Sequence, residues 1–248
     1  MARGSKIEWT EATWNPVTGC SKFSKGCEHC YAERLCKRLK AMGNKKYENG
    51  FIPTAHPETL NEPLGWKQPK MIFVVSMGDL FHEDISDSFI IQVFETMNKA
   101  YWHTFQVLTK RAERLLSISE KVDWTHNIWA GVTVECADYK HRIDLLKRVP
   151  SKVRFVSMEP LVGGVGYVEL RKVHWVIAGG ESGPGSRSLN PRWVREIRDQ
   201  CTDQNVAFFF KQWGGFRKKA NGRVLDGRTW EETPRSTTDE SSSQESSC

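Results

Sequence analysis

A chain of 248 residues with 39% hydrophobic content suits one large α/β domain or two small ones. No apolar run reaches membrane-spanning length, and the N-terminal Met-Ala-Arg-Gly-Ser-Lys lacks the apolar core of a signal peptide, so a cytoplasmic protein is expected. Seven cysteines is an odd number, which fits a reducing compartment and metal binding better than a disulfide framework, and the net charge of +6 permits a nucleic-acid partner without requiring one. Ten tryptophans could stack on bases, although core packing is the more ordinary role.

Residues 7 to 19 read as a short first strand running into a loop that holds Cys20, Cys27 and Cys30, spaced C-x6-C-x2-C. Thiolates favour iron–sulfur clusters, zinc or copper(I). A closed zinc site takes four ligands. Here there is one C-x2-C pair and one outlying cysteine, with no second pair downstream. Three thiolates would leave one corner of a [4Fe–4S] cube open to a small molecule; the alternative is a zinc knuckle completed by His29 or a distant histidine. Gly19 and Gly26, each just before a cysteine, would supply the φ > 0 conformations of a wrapped loop.

From Glu28 the pattern turns helical to about 42 and places Cys30 in the first turn. Tyr31, Leu35, Leu39 and Met42 share one face, and Cys36 reads as a small buried side chain. Residues 43 to 69, rich in Gly and Pro, form a loop or lid whose lysines and aromatics would suit a base-binding surface. Then strands alternate with helices. The strands are Met71 to Ser76, Phe105 to Thr109, Ile128 to Val134, Arg154 to Met158, His174 to Ala178 and Val206 to Phe210. The helices lie near 87–100, 111–119, 137–148 and 191–203. This alternation predicts an α/β fold: a parallel (βα)6-7 partial barrel with right-handed crossovers, an open doubly wound sheet being the alternative. Residues 1–215 form the main unit. A basic extension, 216–235, and a Ser/Glu-rich disordered tail, 236–248, follow.

Ligands of parallel α/β folds sit at the carboxyl ends of strands. Polar residues recur there: Ser76 and Asp79, Lys110, Thr133 and Glu135, Glu159, Glu181 and Lys211. Glu135, Glu159 and Glu181 are expected to face one cavity with Lys110 and Lys211. The run Gly179-Gly-Glu-Ser-Gly-Pro-Gly185 is neither a Walker loop nor a dinucleotide fingerprint, and its glycines would let the backbone approach a ligand.

The cysteine loop resembles that of radical S-adenosylmethionine (SAM) enzymes, which usually read C-x3-C-x2-C; the first gap here is six. Trp14-Asn-Pro-Val-Thr-Gly-Cys20 and Gly-Cys-Glu-His-Cys-Tyr-Ala32 closely resemble the three-Cys-motif phage-protein family, over roughly residues 7 to 215. The resemblance implies that Cys20, Cys27 and Cys30 hold a [4Fe–4S] cluster whose open iron binds SAM, yielding a 5′-deoxyadenosyl radical. By position, Ser76 or Asp79 would meet the SAM amine, and Thr133 and Glu135 its ribose or carboxylate. Lys110, Glu159, Glu181 and Lys211 would act on the substrate. A reductant such as flavodoxin or ferredoxin is implied. Phage context and positive charge suggest a nucleobase, within DNA or free, with thymine hypermodification or rearrangement in the host cytoplasm as the leading reading. The competing classes are a zinc-containing nucleic-acid-binding protein and a cluster-bearing repair protein without SAM chemistry.

Overall fold

The structure, a computed structural model, describes residue 5 and residues 7–234. The expected disordered tail and Cys248 lie outside the described residues. Seven strands form one all-parallel sheet in sequential order: β1 (Ala12–Trp14), β2 (Met71–Val74), β3 (Thr104–Thr109), β4 (Ile128–Thr133), β5 (Arg154–Met158), β6 (Trp175–Gly179) and β7 (Ala207–Gln212). Among the described residues, the helices that connect or flank them include α1 (Tyr31–Ala41), α2 (Asp87–Lys99), α3 (Ala112–Ser119), α4 (His141–Leu146) and α5 (Pro191–Asp203). Local chemistry sets their ends. Ser86 caps α2 by accepting from the Phe89 amide. Asn190 caps α5, where Pro191 takes the first helical position. The helix expected over 137–148 is split into a 3-10 turn, Ala137–Tyr139, and α4.

The sheet is curled. Trp9, just before edge strand β1, has its ring centroid 6.4 Å from Phe155 of β5 and 6.2 Å from Trp175 of β6. Strands in a flat sheet lie about 4.8 Å apart, so four steps would hold β1 and β5 roughly 19 Å apart. The fold is therefore an α/β parallel partial barrel, open between β1 and β7.

Period two along the strands divides the two faces. Outward residues such as Ile72, Val107, Val132, Val156 and Phe208 belong to the large core that includes residues of α2 to α5. Inward residues at the amino half are bulky: Trp9, Phe73, Trp129, Phe155, Trp175 and Phe209 form one cluster that plugs that end. Further along the same inward rows come Leu108, Thr133, Ser157 and Lys211, and the interior opens into a cavity. All ten tryptophans are in or against these two cores, so packing accounts for their number.

Residues 43–69 form a strap rather than a free lid. Thr54–Ala55 pairs with Val17–Thr18, the His56 ring contacts the Thr18 hydroxyl at 2.8 Å, and the Trp14 indole donates to the Thr59 carbonyl. Residues 230 and 231 also touch the sheet: Glu231 bridges to Phe209, and the Trp230 carbonyl accepts from the Phe210 amide. A free edge of β7 is thereby partly covered.

One sequence expectation about α1 fails. Its buried residues are Ala32 and Cys36, whereas Tyr31, Leu35 and Met42 are exposed. Cys30 is the residue before the helix, not part of its first turn.

Candidate functional site

A cavity of about 460 Å³ sits at the carboxyl ends of the strands. Cys20, Cys27 and Cys30 all line it, and all three thiols are free. Among the described residues, no group of three or more His, Cys, Asp or Glu side chains is gathered to hold a metal ion. The three thiols stand instead around a shared space, where Ser76, Asp79, Lys110, Thr133, Glu159, Glu181 and Lys211 also reach the wall. Glu135 does not: it is fully buried behind the cysteine loop. The expectation that three carboxylates face one cavity therefore holds for two.

The chain enters the site through a strained turn. Val75, directly after β2, takes φ 63°, a left-handed conformation that costs a β-branched residue roughly 1–2 kcal/mol. The Ser76 carbonyl then accepts from the Tyr31 hydroxyl at 2.5 Å, and its own hydroxyl lies 3.2 Å from Asn15 Oδ1.

The six-residue first gap is anchored along most of its length. Ser21 Oγ accepts from Arg111 and lies 2.8 Å from His82 Nε2. Phe23 lies between two guanidinium groups, Arg111 at 4.8 Å and Arg142 at 5.5 Å from its ring centre. The Ser24 hydroxyl donates to Glu135. The Lys25 amide donates to the Tyr139 hydroxyl, and its ammonium pairs with Asp138 at 2.7 Å. Of the two glycines, Gly19 takes φ 81° as expected, but Gly26 has no positive φ. A Cβ at Gly26 would lie 2.7 Å from Glu135, so its smallness answers a close approach. Gly26→Ala is expected to cost about 1–3 kcal/mol of overpacking. A thermal melt checks it; an unchanged melting temperature refutes the close approach as the reason for glycine.

The predicted acids have partners that sequence reasoning did not supply. Glu135 pairs with Arg142 at 2.9 Å and Lys110 at 3.4 Å. Burial opposes the Lys110 ammonium, yet Glu135 and the Cys27 sulfur hold its pKa above the ordinary lysine value. Asp79 accepts from the Thr109 hydroxyl at 2.7 and 2.9 Å, from the Phe81 amide at 3.0 Å and from Arg111 at 3.3 Å. Its carboxylate is thus engaged by the protein itself, which leaves little of it for a SAM amine. Glu181 binds Arg187 through both oxygens at 2.8 and 3.0 Å. Burial works against that carboxylate, but the Arg187 donors prevail and keep its pKa below the ordinary range. Arg187 continues to Glu28 and to the Lys25 carbonyl, so β6 and the cysteine loop are tied together.

The glycine-rich run after β6 packs closely on its own chain while Gly180, Glu181 and Ser182 also line the cavity. A Cβ at Gly180 would lie 2.1 Å from the Trp213 carbonyl oxygen. Arg34 of α1 donates to the Ser182 and Pro184 carbonyls at 3.1 and 2.9 Å, pinning this run over the cavity. Glu159 and Lys211 pair at 2.8 Å, and Gln212 joins them through Ser182 Oγ at 2.5 Å and Glu159 at 3.5 Å.

Arg111, Arg142, Arg187 and Arg34 are the residues the sequence reading missed as site residues. Arg111 carried a faint signal, being next to Lys110 at a strand end. Arg142 lies inside α4 and carried none. One sulfur also has a hydrogen donor, Arg111 Nη1 at 3.5 Å from Cys20 Sγ; Ser24 Oγ, whose hydrogen goes to Glu135, lies 3.7 Å from Cys27 Sγ. Burial, with Asp79 nearby, pushes the Cys20 thiol up to about 12, so metal binding there must displace a proton.

Three solved structures share part of this chain path. They are a cysteine-to-serine variant of spore photoproduct lyase, the lyase complexed with dinucleoside spore photoproduct, and a doubly substituted variant with bound AdoMet and dinucleoside spore photoproduct. The first two match with a TM-score of 0.47 and 10% identity over 83% of this chain, and the third with 0.44 and 9% over 85%. This chain spans 65%, 65% and 58% of their lengths. Among curated proteins none matches. A family model described as "Protein of unknown function (DUF5131)" matches residues 4–234, and the chain belongs to that family.

Proposed function

We propose that this protein is a radical SAM enzyme acting on a nucleobase substrate. The observation that carries the reading is the meeting of three free cysteines with polar strand-end residues around one cavity at the carboxyl edge of a parallel partial barrel. The donor set fits a [4Fe–4S] cluster. Thiolates bind such clusters one to an iron, and Cys20, Cys27 and Cys30 would leave one iron for the amino and carboxylate groups of SAM. When bound, cluster and SAM would supply one-electron radical chemistry at a substrate carbon–hydrogen bond.

The chain's own residues orient and enclose. The amino-end plug of Trp and Phe closes the floor, and the pinned 180–185 run narrows the mouth, which together restrict water. Ser76, with its wall position after the Val75 turn, and Thr133 are the cofactor-binding candidates that remain; Asp79 and Glu135 act through the arginines they hold. Glu159 and Lys211 form a polar pair on the wall, suited to an imide or amide edge. Tyr31 and Phe51 on the same cavity wall are placed to stack on a base. A thymine-derived base in phage DNA remains the substrate we favour, with a low-potential flavodoxin or ferredoxin as electron donor. No helix is long and apolar enough to cross a membrane among the described residues.

Anaerobic reconstitution tests the reading. Iron, sulfide and 5′-deoxyadenosine should appear together. Stoichiometric zinc without iron would instead support the metal-binding alternative, and a cluster that does not cleave SAM would leave a cluster-bearing protein of another class.

A further inference from the structure

We propose that Arg111 is a positioning residue that sets the reduction potential of the cluster at Cys20. This rests on the cluster reading above and goes beyond it, because neither the cysteine spacing nor the strand-end pattern assigns Arg111 a role.

Arg111 is only 4% exposed. Its guanidinium is held on every side. Nε donates to Glu83 at 2.7 Å, Nη2 to Ser21 Oγ at 2.9 Å, and Nη1 to Asp79 at 3.3 Å and to Cys20 Sγ at 3.5 Å. The Phe23 ring covers it at 4.8 Å. A planar fork held at Nε, Nη2 and Nη1 keeps one Nη1 N–H aimed at the sulfur.

Reduction adds one electron, and so one negative charge, to a group that thiolates already make anionic. A buried cation and a hydrogen bond at a ligand sulfur stabilise the reduced form more than the oxidised form, and both matter more where water is excluded. Asp79 and Glu83 offset part of the guanidinium's charge, but Glu83 is mostly exposed and screened by solvent. The N–H···S bond is not offset. Arginine also stays charged at every working pH, so its effect does not titrate away. Asp79, together with Thr109, fixes the arginine in place; its own buried charge beside Cys20 opposes the guanidinium's, so losing the arginine would leave that carboxylate uncompensated next to the sulfur.

A purely structural role for Arg111 predicts something different. Its loss would loosen the loop and reduce iron uptake, but clusters that did load would keep the wild-type potential.

The experiment compares wild type, Arg111→Gln and Arg111→Lys after anaerobic reconstitution. Iron and sulfide per chain are measured first. Each cluster is then titrated with dithionite as the one-electron donor and followed by electron paramagnetic resonance. Arg111→Gln is expected to make one-electron reduction at least tenfold less favourable, a downward shift of about 59 mV or more. Arg111→Lys keeps the charge but loses the fork, so its potential should fall between the other two. Loaded variants with the wild-type potential overturn the proposal. If Arg111→Gln takes up no cluster, Arg111→Lys decides: a potential below wild type supports the role, and an unchanged one removes it. A wild type that binds no iron would overturn the cluster reading itself, and this inference with it.

Discussion

Replacing Cys20, Cys27 and Cys30 together with alanine is expected to abolish iron and sulfide uptake. Serine at Cys36, Cys136 or Cys201 should leave uptake intact. The first three thiols line the cavity, whereas the other three are buried in the fold. Burial pushes the Cys36 thiol up to about 11 and the Cys201 thiol up to about 12, as for inert structural cysteines. Cys36 lies with Ala32, Tyr47 and Met77 in a small apolar cluster under α1, and Cys201 sits among the main core residues beneath α5. Metal analysis of the purified and reconstituted proteins decides the matter. Equal iron in the triple variant and the wild type would end the assignment of these residues as ligands.

Arg142→Ala should be among the most destabilising single changes in the chain. Arg142 is 1% exposed, donates to the Thr133 carbonyl at 2.8 Å and to Glu135 at 2.9 Å, and lies 4.2 Å from the Tyr139 ring centre. Removing it strands a fully buried carboxylate with one remaining cation, Lys110, at 3.4 Å. Breaking a buried pair from one side costs about 3–5 kcal/mol. For a domain of this size that corresponds to a melting-temperature loss on the order of 10 °C. The double change Arg142→Met with Glu135→Gln removes both charges and should recover much of the loss. Calorimetry or a circular-dichroism melt measures both. If Arg142→Ala melts with the wild type, the Glu135 pair does not hold the loop.

The consequence for function is indirect but specific. Glu135 accepts from Ser24 inside the first gap of the cysteine motif and presses against Gly26. A gap of six residues needs such anchors if its three sulfurs are to stay around one cavity. Three arginine-held acids serve it: Asp79 through Arg111, Glu135 with Arg142, and Glu181 through Arg187. The acids that looked like ligands for a small molecule are largely the ties of the loop. Glu159 and Lys211 also line the cavity but pair with each other rather than with an arginine.

By itself the sequence determined the strands, their alternation with helices and the polar residues that follow them; the sequential order of the strands came from the tertiary structure. Apolar runs such as Met71 to Val74 and Ile128 to Thr133, each followed by a helical stretch, dictate parallel strands because alternation and crossover handedness are local rules. The polar residue after each run is legible for the same reason. The C-x6-C-x2-C spacing also stands in the sequence, and its three sulfurs do reach one cavity. Only the tertiary structure decided which charge meets which. Arg111 and Ser21 are 90 residues apart, and Arg187 and Glu28 are 159. No periodicity carries information over such separations; the curl of the sheet, which brings Trp9 against Trp175, creates those neighbours. The same closure left Tyr31 and Leu35 of α1 exposed while burying Ala32 and Cys36. A helical repeat fixes which residues share a face, but the position of the neighbouring elements decides which face is covered.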